Sequence, residues 1–175
     1  MATAPVLRSV PVPAGPAAAG TEVFRHVLRV YWEDTDAGGV VFYANYLKFF
    51  ERARTEWLRA MGWAQWTLRE REDLIFVIAD TQVRYLRPAR LDDRLALSVR
   101  VLDAGRSRLT IAQQAWRLAD EASEAGPPGS EAPGPLLAEG LIRIACVEAS
   151  SFRARRFPEQ LLSRLPPPEP PAAPA

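Results

Sequence analysis

From position 46 onward, apolar residues recur at Tyr46/Leu47, Phe49/Phe50, Ala53, Trp57/Leu58 and Met61. That three- and four-residue spacing is the signature of a helix with one buried face. Lys48, Glu51, Arg52, Arg54, Glu56 and Arg59 fall between them, so the other face is charged. The pattern predicts a helix over 44–61, roughly 27 Å long at 1.5 Å per residue, with Gly62 as its stop. Ahead of it, 24–32 is rich in β-branched and aromatic residues and reads as a first strand. Between the two lies an acidic glycine turn, Glu33-Asp34-Thr35-Asp36-Ala37-Gly38-Gly39.

After the helix, 63–71 predicts a short second helix with Trp63 and Trp66 tucked against the core. The period then drops to two. Over 75–85 the residues Ile75, Val77, Ala79, Thr81, Val83 and Tyr85 share one face, and Pro88 ends the run because proline cannot donate to a ladder. Over 94–102, Leu95, Leu97, Val99 and Val101 point inward and Arg94, Ala96, Ser98 and Arg100 outward. A strand over 108–118 loses its alternation at Gln113-Gln114, where a bulge or a change of burial is expected. The last strand, 137–147, has small residues, Ala138 and Gly140, on the face of Ile142, Ile144 and Cys146, which lets a helix lie close. A helix followed by an antiparallel meander argues an α+β fold with the helix buried by the sheet.

The flanks read differently. Residues 1–21 are Pro/Ala-rich and are expected to be a disordered leader, leaving 22–157 as one domain. A Glu/Gly/Pro-rich stretch at 119–135 is expected to be a mobile insertion loop. Over 158–175 a short helix from Pro158 to Leu165 and then a disordered proline-rich tail are expected.

Composition narrows the function classes. A chain of 175 residues with 48% hydrophobic and 25% charged residues suits one soluble globular domain. The net charge of +1 provides no basic field for nucleic acid. One cysteine, Cys146, excludes an internal disulfide and fits a reducing compartment. No apolar run approaches the ~20 residues of a transmembrane helix. Prolines at 5, 11, 13 and 16 interrupt any signal-peptide core, so a cytoplasmic location is expected. A lone histidine, His26, with a lone cysteine supplies neither a zinc cluster nor a triad, and no Gly-x-Ser-x-Gly elbow or phosphate-cradling glycine loop is present. No metal or cofactor is expected. His26 itself reads as an ordinary strand histidine rather than a general base, since no motif surrounds it.

The turn is where chemistry can sit. Asp36 stands just before Gly38-Gly39, where missing side chains allow close backbone approach. The helix start beyond offers unpaired N–H groups and a positive dipole end. A carboxylate facing such donors is what acyl transfer needs, one group to attack or to deprotonate water and the others to hold an oxyanion. Taken alone, the same residues equally describe a turn with a capping carboxylate.

The run Asp34-Thr35-Asp36-Ala37-Gly38-Gly39-Val40-Val41, then Asn45-Tyr46 and Glu51-Arg52-Ala53-Arg54-Thr55-Glu56-Trp57, resembles the 4-hydroxybenzoyl-CoA thioesterase family. Within it, the chain is most similar to the Tol–Pal-associated acyl-CoA thioesterases, and the stretch from Tyr85 to Asp93 matches as well. The resemblance implies the hotdog fold, an antiparallel sheet wrapped around one long central helix, and assembly as a homodimer or homotetramer. It implies an acyl-CoA substrate, with Asp36 as nucleophile or general base and the Tyr43 backbone N–H polarising the thioester carbonyl. Gly38, Gly39 and Val40 would line the substrate. Tyr43 is like the 4-hydroxybenzoyl-CoA enzymes here, where many Tol–Pal-type members carry histidine.

Coenzyme A brings phosphates, which arginine forks grip well. Arg84, Arg87 and Arg90 recur every third residue and Arg106 and Arg108 flank the next turn; the Arg87–Arg90 region is the expected nucleotide contact. Glu51 is a possible second carboxylate, but an ion pair with Arg54 or Arg52 is the more ordinary role. Two rivals remain: an acyl-thioester dehydratase, which would want a histidine in the site, and a non-catalytic acyl-thioester or acyl-carrier-protein binding module.

Overall fold

The computed structural model describes residues 23–119 and 133–168. The expected leader at 1–21, most of the 119–135 insertion and the final tail therefore lie outside the described residues. Five strands form one sheet: β1 (Phe24–Arg29), β2 (Leu74–Tyr85), β3 (Arg94–Ala104), β4 (Arg108–Leu118) and β5 (Pro133–Glu148). Their spatial order is β1-β3-β4-β5-β2, every neighbour antiparallel. Three helices accompany them: α1 (Asn45–Ala60), α2 (Gln65–Glu72) and a short α3 (Glu159–Leu162). This is the α+β arrangement that the periodicity predicts.

The topology explains why α1 is long. Consecutive strands β1 and β2 occupy opposite edges, so the chain between them must cross four inter-strand gaps, roughly 19 Å at about 4.8 Å each. Sixteen helical residues cover roughly 24 Å. The helix carries the chain over the sheet and buries Tyr46, Phe49, Phe50, Ala53, Trp57 and Leu58 against it. Those side chains meet Leu95, Leu97 and Val99 of β3, Leu109 and Ile111 of β4, and Ala138, Ile142 and Ile144 of β5 in one core. Gly140 makes the close approach possible, because a Cβ there would stand 3.0 Å from Phe50 Cε2.

Several local expectations need correction. β1 stops at Arg29, and Trp32–Asp34 is a turn of 3-10 helix rather than strand. Trp63 packs against the core, but Trp66 on α2 is 69% exposed and Leu68 is the residue that anchors that helix. β2 does not keep one face. The register passes from Ile78↔Ile144 directly to Asp80↔Arg143, so Ala79 is an extra residue, a bulge. Leu74 and Phe76 pack inward before it and Val83 after it. A bulge reverses the parity of a strand, which simple alternation cannot foresee.

The outward positions of β3, Ala96, Ser98 and Arg100, are buried as well. β3 lies between β1 and β4, and Ser98 Oγ accepts the Gln114 N–H at 3.0 Å. β5 begins at Pro133, with Pro133 opposite Leu118, so the strand takes in the last residues of the expected insertion. At Gln113 the lost alternation is a change of burial. Its side chain is fully buried, and Nε2 donates to the Phe50 carbonyl at 3.1 Å and less closely to the Ser98 carbonyl. α3 is shorter than expected, ending at Leu162, with Leu161 buried in the core.

Candidate active site

Residues 34–42 form a small closed loop before α1. Thr35 bridges Val41, Phe42 N–H donates to the Asp34 carbonyl at 2.9 Å, and Asp36 N–H donates to the Val40 carbonyl at 2.9 Å. Gly39 turns the chain with φ of +72°, where a side chain would be strained. Asp34 is buried and structural: its Oδ2 accepts the Tyr31 N–H at 2.9 Å. Asn45, the first residue of α1, donates Nδ2 to the Asp34 carbonyl at 3.0 Å and so ties the loop to the helix. Sequence reading recognised Asn45 within the matching run but assigned it no role.

Asp36 is exposed at the loop tip. Its Oδ1 accepts the Gly38 N–H at 2.8 Å, and Oδ2 has no partner among the described residues. One oxygen is thus anchored while the other stays available. A Cβ on Gly38 would stand 3.0 Å from Asp36 Oδ1, so the first glycine leaves room for the carboxylate itself. Gly38 and Gly39 are exposed beside it, and Val40 is half-buried.

Tyr43 leads into α1, and its N–H has no acceptor among the described residues. The helix start has no side-chain cap and no acidic residue in its first turn, so the positive dipole end is left uncompensated. The Tyr43 carbonyl, by contrast, is held: Tyr85 Oη donates to it at 3.0 Å from the end of β2. Tyr43, Tyr46 and Tyr85 pack ring to ring, Tyr46 in turn against Phe49. Burial pushes the Tyr46 phenol up to about 12 and raises that of Tyr85 too, so both keep their protons. Tyr85 was legible as a strand residue and as the start of the matching stretch 85–93, but nothing local marks a bond to a residue 42 positions away.

The structure brings the 87–90 segment to the same place. Val41 N–H donates to the Ala89 carbonyl at 2.8 Å, and Ala89 is fully buried beside the loop. Arg87 and Arg90 flank it with exposed side chains; Arg87 Nη1 reaches the Leu136 carbonyl at 3.4 Å. Arg84 is different. It is committed to Glu139 at 2.8 Å, a carboxylate only 2% exposed. Arg106 and Arg108 sit at the far end of β3 and β4, roughly 35 Å away along an eleven-residue strand. His26 lies on β1 opposite Leu97, outside the loop. Glu51 makes no ion pair with Arg52 or Arg54 within 4.0 Å; it accepts a hydrogen bond from Thr55 Oγ1 at 2.7 Å, while Arg52 lies over the Phe49 ring. Among the described residues no group of three or more His, Cys, Asp or Glu could hold a metal ion. No helix among them is long and apolar enough to cross a membrane.

Comparison with known proteins adds independent evidence. A family model described as the thioesterase-like superfamily matches residues 30–165. The acyl-CoA thioesterase YbgC of Haemophilus influenzae is 35% identical over 138 residues, covering 79% of this chain and 90% of that protein. The acyl-CoA thioester hydrolase YbgC of Escherichia coli is 35% identical over 145 residues, 83% of this chain and 97% of its own. Among solved structures, a probable thioesterase from Bartonella henselae superposes with a TM-score of 0.64 at 28% identity, covering 78% of this chain and all of that one. A DHNA-CoA thioesterase from Staphylococcus aureus, at 20% identity, shares the fold with a TM-score of 0.68, covering 81% and 89%.

Proposed function

Because this chain belongs to the thioesterase-like superfamily, with its hotdog fold, we propose that it hydrolyses acyl-CoA to a free carboxylic acid and CoA. The protein is a thioester hydrolase. The observation that carries the finer reading is one loop holding a carboxylate beside a helix start, with Asp36 Oδ2 and the Tyr43 N–H both without a partner among the described residues. Asp36 Oδ2 opens the thioester, either by attacking the carbonyl carbon or by taking a proton from the water that attacks it. The Tyr43 N–H, strengthened by the dipole of α1, polarises the carbonyl oxygen and holds the charge that grows on it. CoA leaves as a thiolate, which needs little acid assistance given an ordinary thiol pKa of about 8.5. Gly38 and Gly39 leave the acyl carbon a path along bare backbone, with Val40 as its apolar side. Release of free thiol from a panel of short, long and aromatic acyl-CoAs tests the reading, and an inert protein overturns it.

Tyr85 is a positioning residue in this scheme, since its hydroxyl fixes the peptide unit that leads from Tyr43 into the helix. Tyr85→Phe removes one hydrogen bond at nearly constant shape. We expect kcat to fall about five- to tenfold with KM nearly unchanged, because a bond of roughly 1 kcal/mol steadies an oxyanion donor rather than the ground state. An equal rise in KM would mean that Tyr85 only shapes the binding surface.

Arg87 and Arg90 stand next to the loop with exposed guanidinium groups and serve the phosphates of CoA. In the Arg87→Ala/Arg90→Ala double variant, KM for acyl-CoA should rise about tenfold and become less sensitive to salt. The acyl-pantetheine analogue, lacking the nucleotide, should be turned over as before. An unchanged KM removes these residues from the site.

β2 is an edge strand of 12 residues with Ile78 and Tyr85 exposed. An uncovered edge of that length invites pairing, and a second copy in a homodimer or homotetramer is the simplest cover. Light scattering should give at least twice the 19.4 kDa chain mass; a species at 19.4 kDa sinks the assembly.

A further inference from the structure

Between the sheet and the later turns of α1 lies a cleft of about 150 Å³, away from the Asp36 loop. Its walls are mostly apolar, among them Trp57 and Leu58 of α1, Phe76 and Ile78 of β2 and Ile144 of β5, with Glu51, Arg54 and Gln65 on one side. An open groove of about 570 Å³ leads to it from Leu47, in the first turn of α1, and the two share Glu51, Arg54 and Ile78. The groove therefore begins at Leu47, about one turn beyond Tyr43, and continues into the cleft past Glu51, Arg54 and Ile78, while the Asp36 loop itself lines neither.

That pocket contains a cation with no direct counter-ion. Arg54 is half-buried, and this partial burial lowers its pKa while the charge of nearby Glu51 opposes the shift. Among the described residues its only hydrogen bond is Nη1 to Gln113 Oε1 at 2.7 Å, a neutral acceptor, and no carboxylate oxygen lies within 4.0 Å. Glu51 is turned aside by Thr55, whose hydroxyl donates to it at 2.7 Å and is itself held by Gln65 Nε2 at 2.6 Å. The support under Arg54 is rigid. Gln113 is fully buried and its Nε2 is engaged by the Phe50 carbonyl, so Oε1 must point at the guanidinium. A half-buried guanidinium whose direct partner is a neutral amide, with Glu51 nearby but not in contact, keeps donors available for an anionic ligand.

Resting on the thioesterase reading above, we propose that Arg54 is a specificity residue that receives a carboxylate at the far end of the acyl chain, making ω-carboxyacyl-CoA thioesters the preferred substrates. Arginine is suited to this, since its planar fork meets a carboxylate with two parallel bonds and the walls accept the methylenes between. Distance sets the length. Eleven residues separate Tyr43 from Arg54, roughly 16 Å along the helix, and a helical side chain leans back toward the N-terminus, so a chain on the order of eight carbons spans the gap.

The test compares methyl-ended and ω-carboxy acyl-CoAs of matched length, from about six to ten carbons. The wild-type protein should favour the ω-carboxy member in kcat/KM by about tenfold or more, most strongly near the middle of that range. Arg54→Met should bring the ratio to about one and Arg54→Lys should leave it between, with circular dichroism and thermal unfolding verifying that both variants are folded. A wild-type ratio near one, or a ratio that survives in folded Arg54→Met, overturns the proposal while leaving the hydrolase intact. So does a ratio near one together with a loss of oligomer in Arg54→Met, which would assign the guanidinium to a carboxylate of a second copy. If no acyl-CoA of either series releases thiol, the hydrolase reading fails with it.

Discussion

Replacing Asp36 with asparagine should lower thiol release from acyl-CoA by at least about 10²-fold, the usual contribution of a positioned base or nucleophile. The substitution is informative because it spares the loop. An asparagine oxygen can still accept the Gly38 N–H that Oδ1 accepts at 2.8 Å, and Gly39 keeps its turn. What disappears is the negative charge and with it both possible roles, attack on the carbonyl carbon and removal of a proton from water. Stability should move by less than about 1 kcal/mol, since the residue is exposed. The measurement is kcat under saturating acyl-CoA, with thermal unfolding alongside. Equal activity in both proteins would reduce Asp36 to a turn residue and make Glu51 the next carboxylate to test. If both proteins bind acyl-CoA but neither turns it over, the chain is an acyl-thioester binding module.

Phe50→Ala should cost about 3–5 kcal/mol, measured by urea unfolding. Phe50 is fully buried in the first half of α1, with its ring against Gly140 of β5. Its ring fills the space that Gly140 leaves open, and its carbonyl accepts from Gln113 Nε2 at 3.1 Å. Truncation opens a void between the helix and a rigid sheet that cannot collapse into it, so the loss exceeds the transfer of a phenyl group alone. Phe50→Leu should cost clearly less, because it keeps most of the volume. A loss below about 1 kcal/mol for the alanine variant would mean that helix–sheet packing is not what holds this fold together.

The two experiments probe different levels of the same design. α1 serves both: its middle builds the core, and its first turn faces the candidate chemistry. The helix can be stable without a capping side chain at Ala44 because the packing of Phe49, Phe50, Ala53 and Trp57 holds it. No acidic or capping side chain therefore sits at the helix start to offset the positive end of its dipole, which lies beside the Tyr43 N–H.

How much of this was legible varied with the kind of information. Phe49, Phe50, Ala53 and Trp57 announced the buried face of α1 because helical period is written in consecutive residues. Gly140 could be read as a point of close approach because smallness is a property of one position. The Asp36-to-Gly39 turn was equally local. Trp66 misled, since an aromatic side chain at a plausible spacing carries no sign of which way an eight-residue helix turns its face. Arg84 misled as well: it looked like a phosphate contact alongside Arg87 and Arg90 until β5 placed the buried Glu139 beside it. Ala79 hid a bulge, and with it the parity of half of β2.

The sequence by itself determined the helix, the glycine turn with its carboxylate, the existence of the strands and the α+β class, because each depends on periodicity or on residues within a few positions of one another. Only the tertiary structure decided that β2 takes the edge beside β5, that Tyr85 grips the Tyr43 carbonyl, that the 87–90 segment closes on Val41, and that Gln113 holds Arg54 in a cleft. Most of these join residues more than 40 positions apart. Their pairing is set by which faces the folded sheet and helix bring together, and no local pattern encodes that.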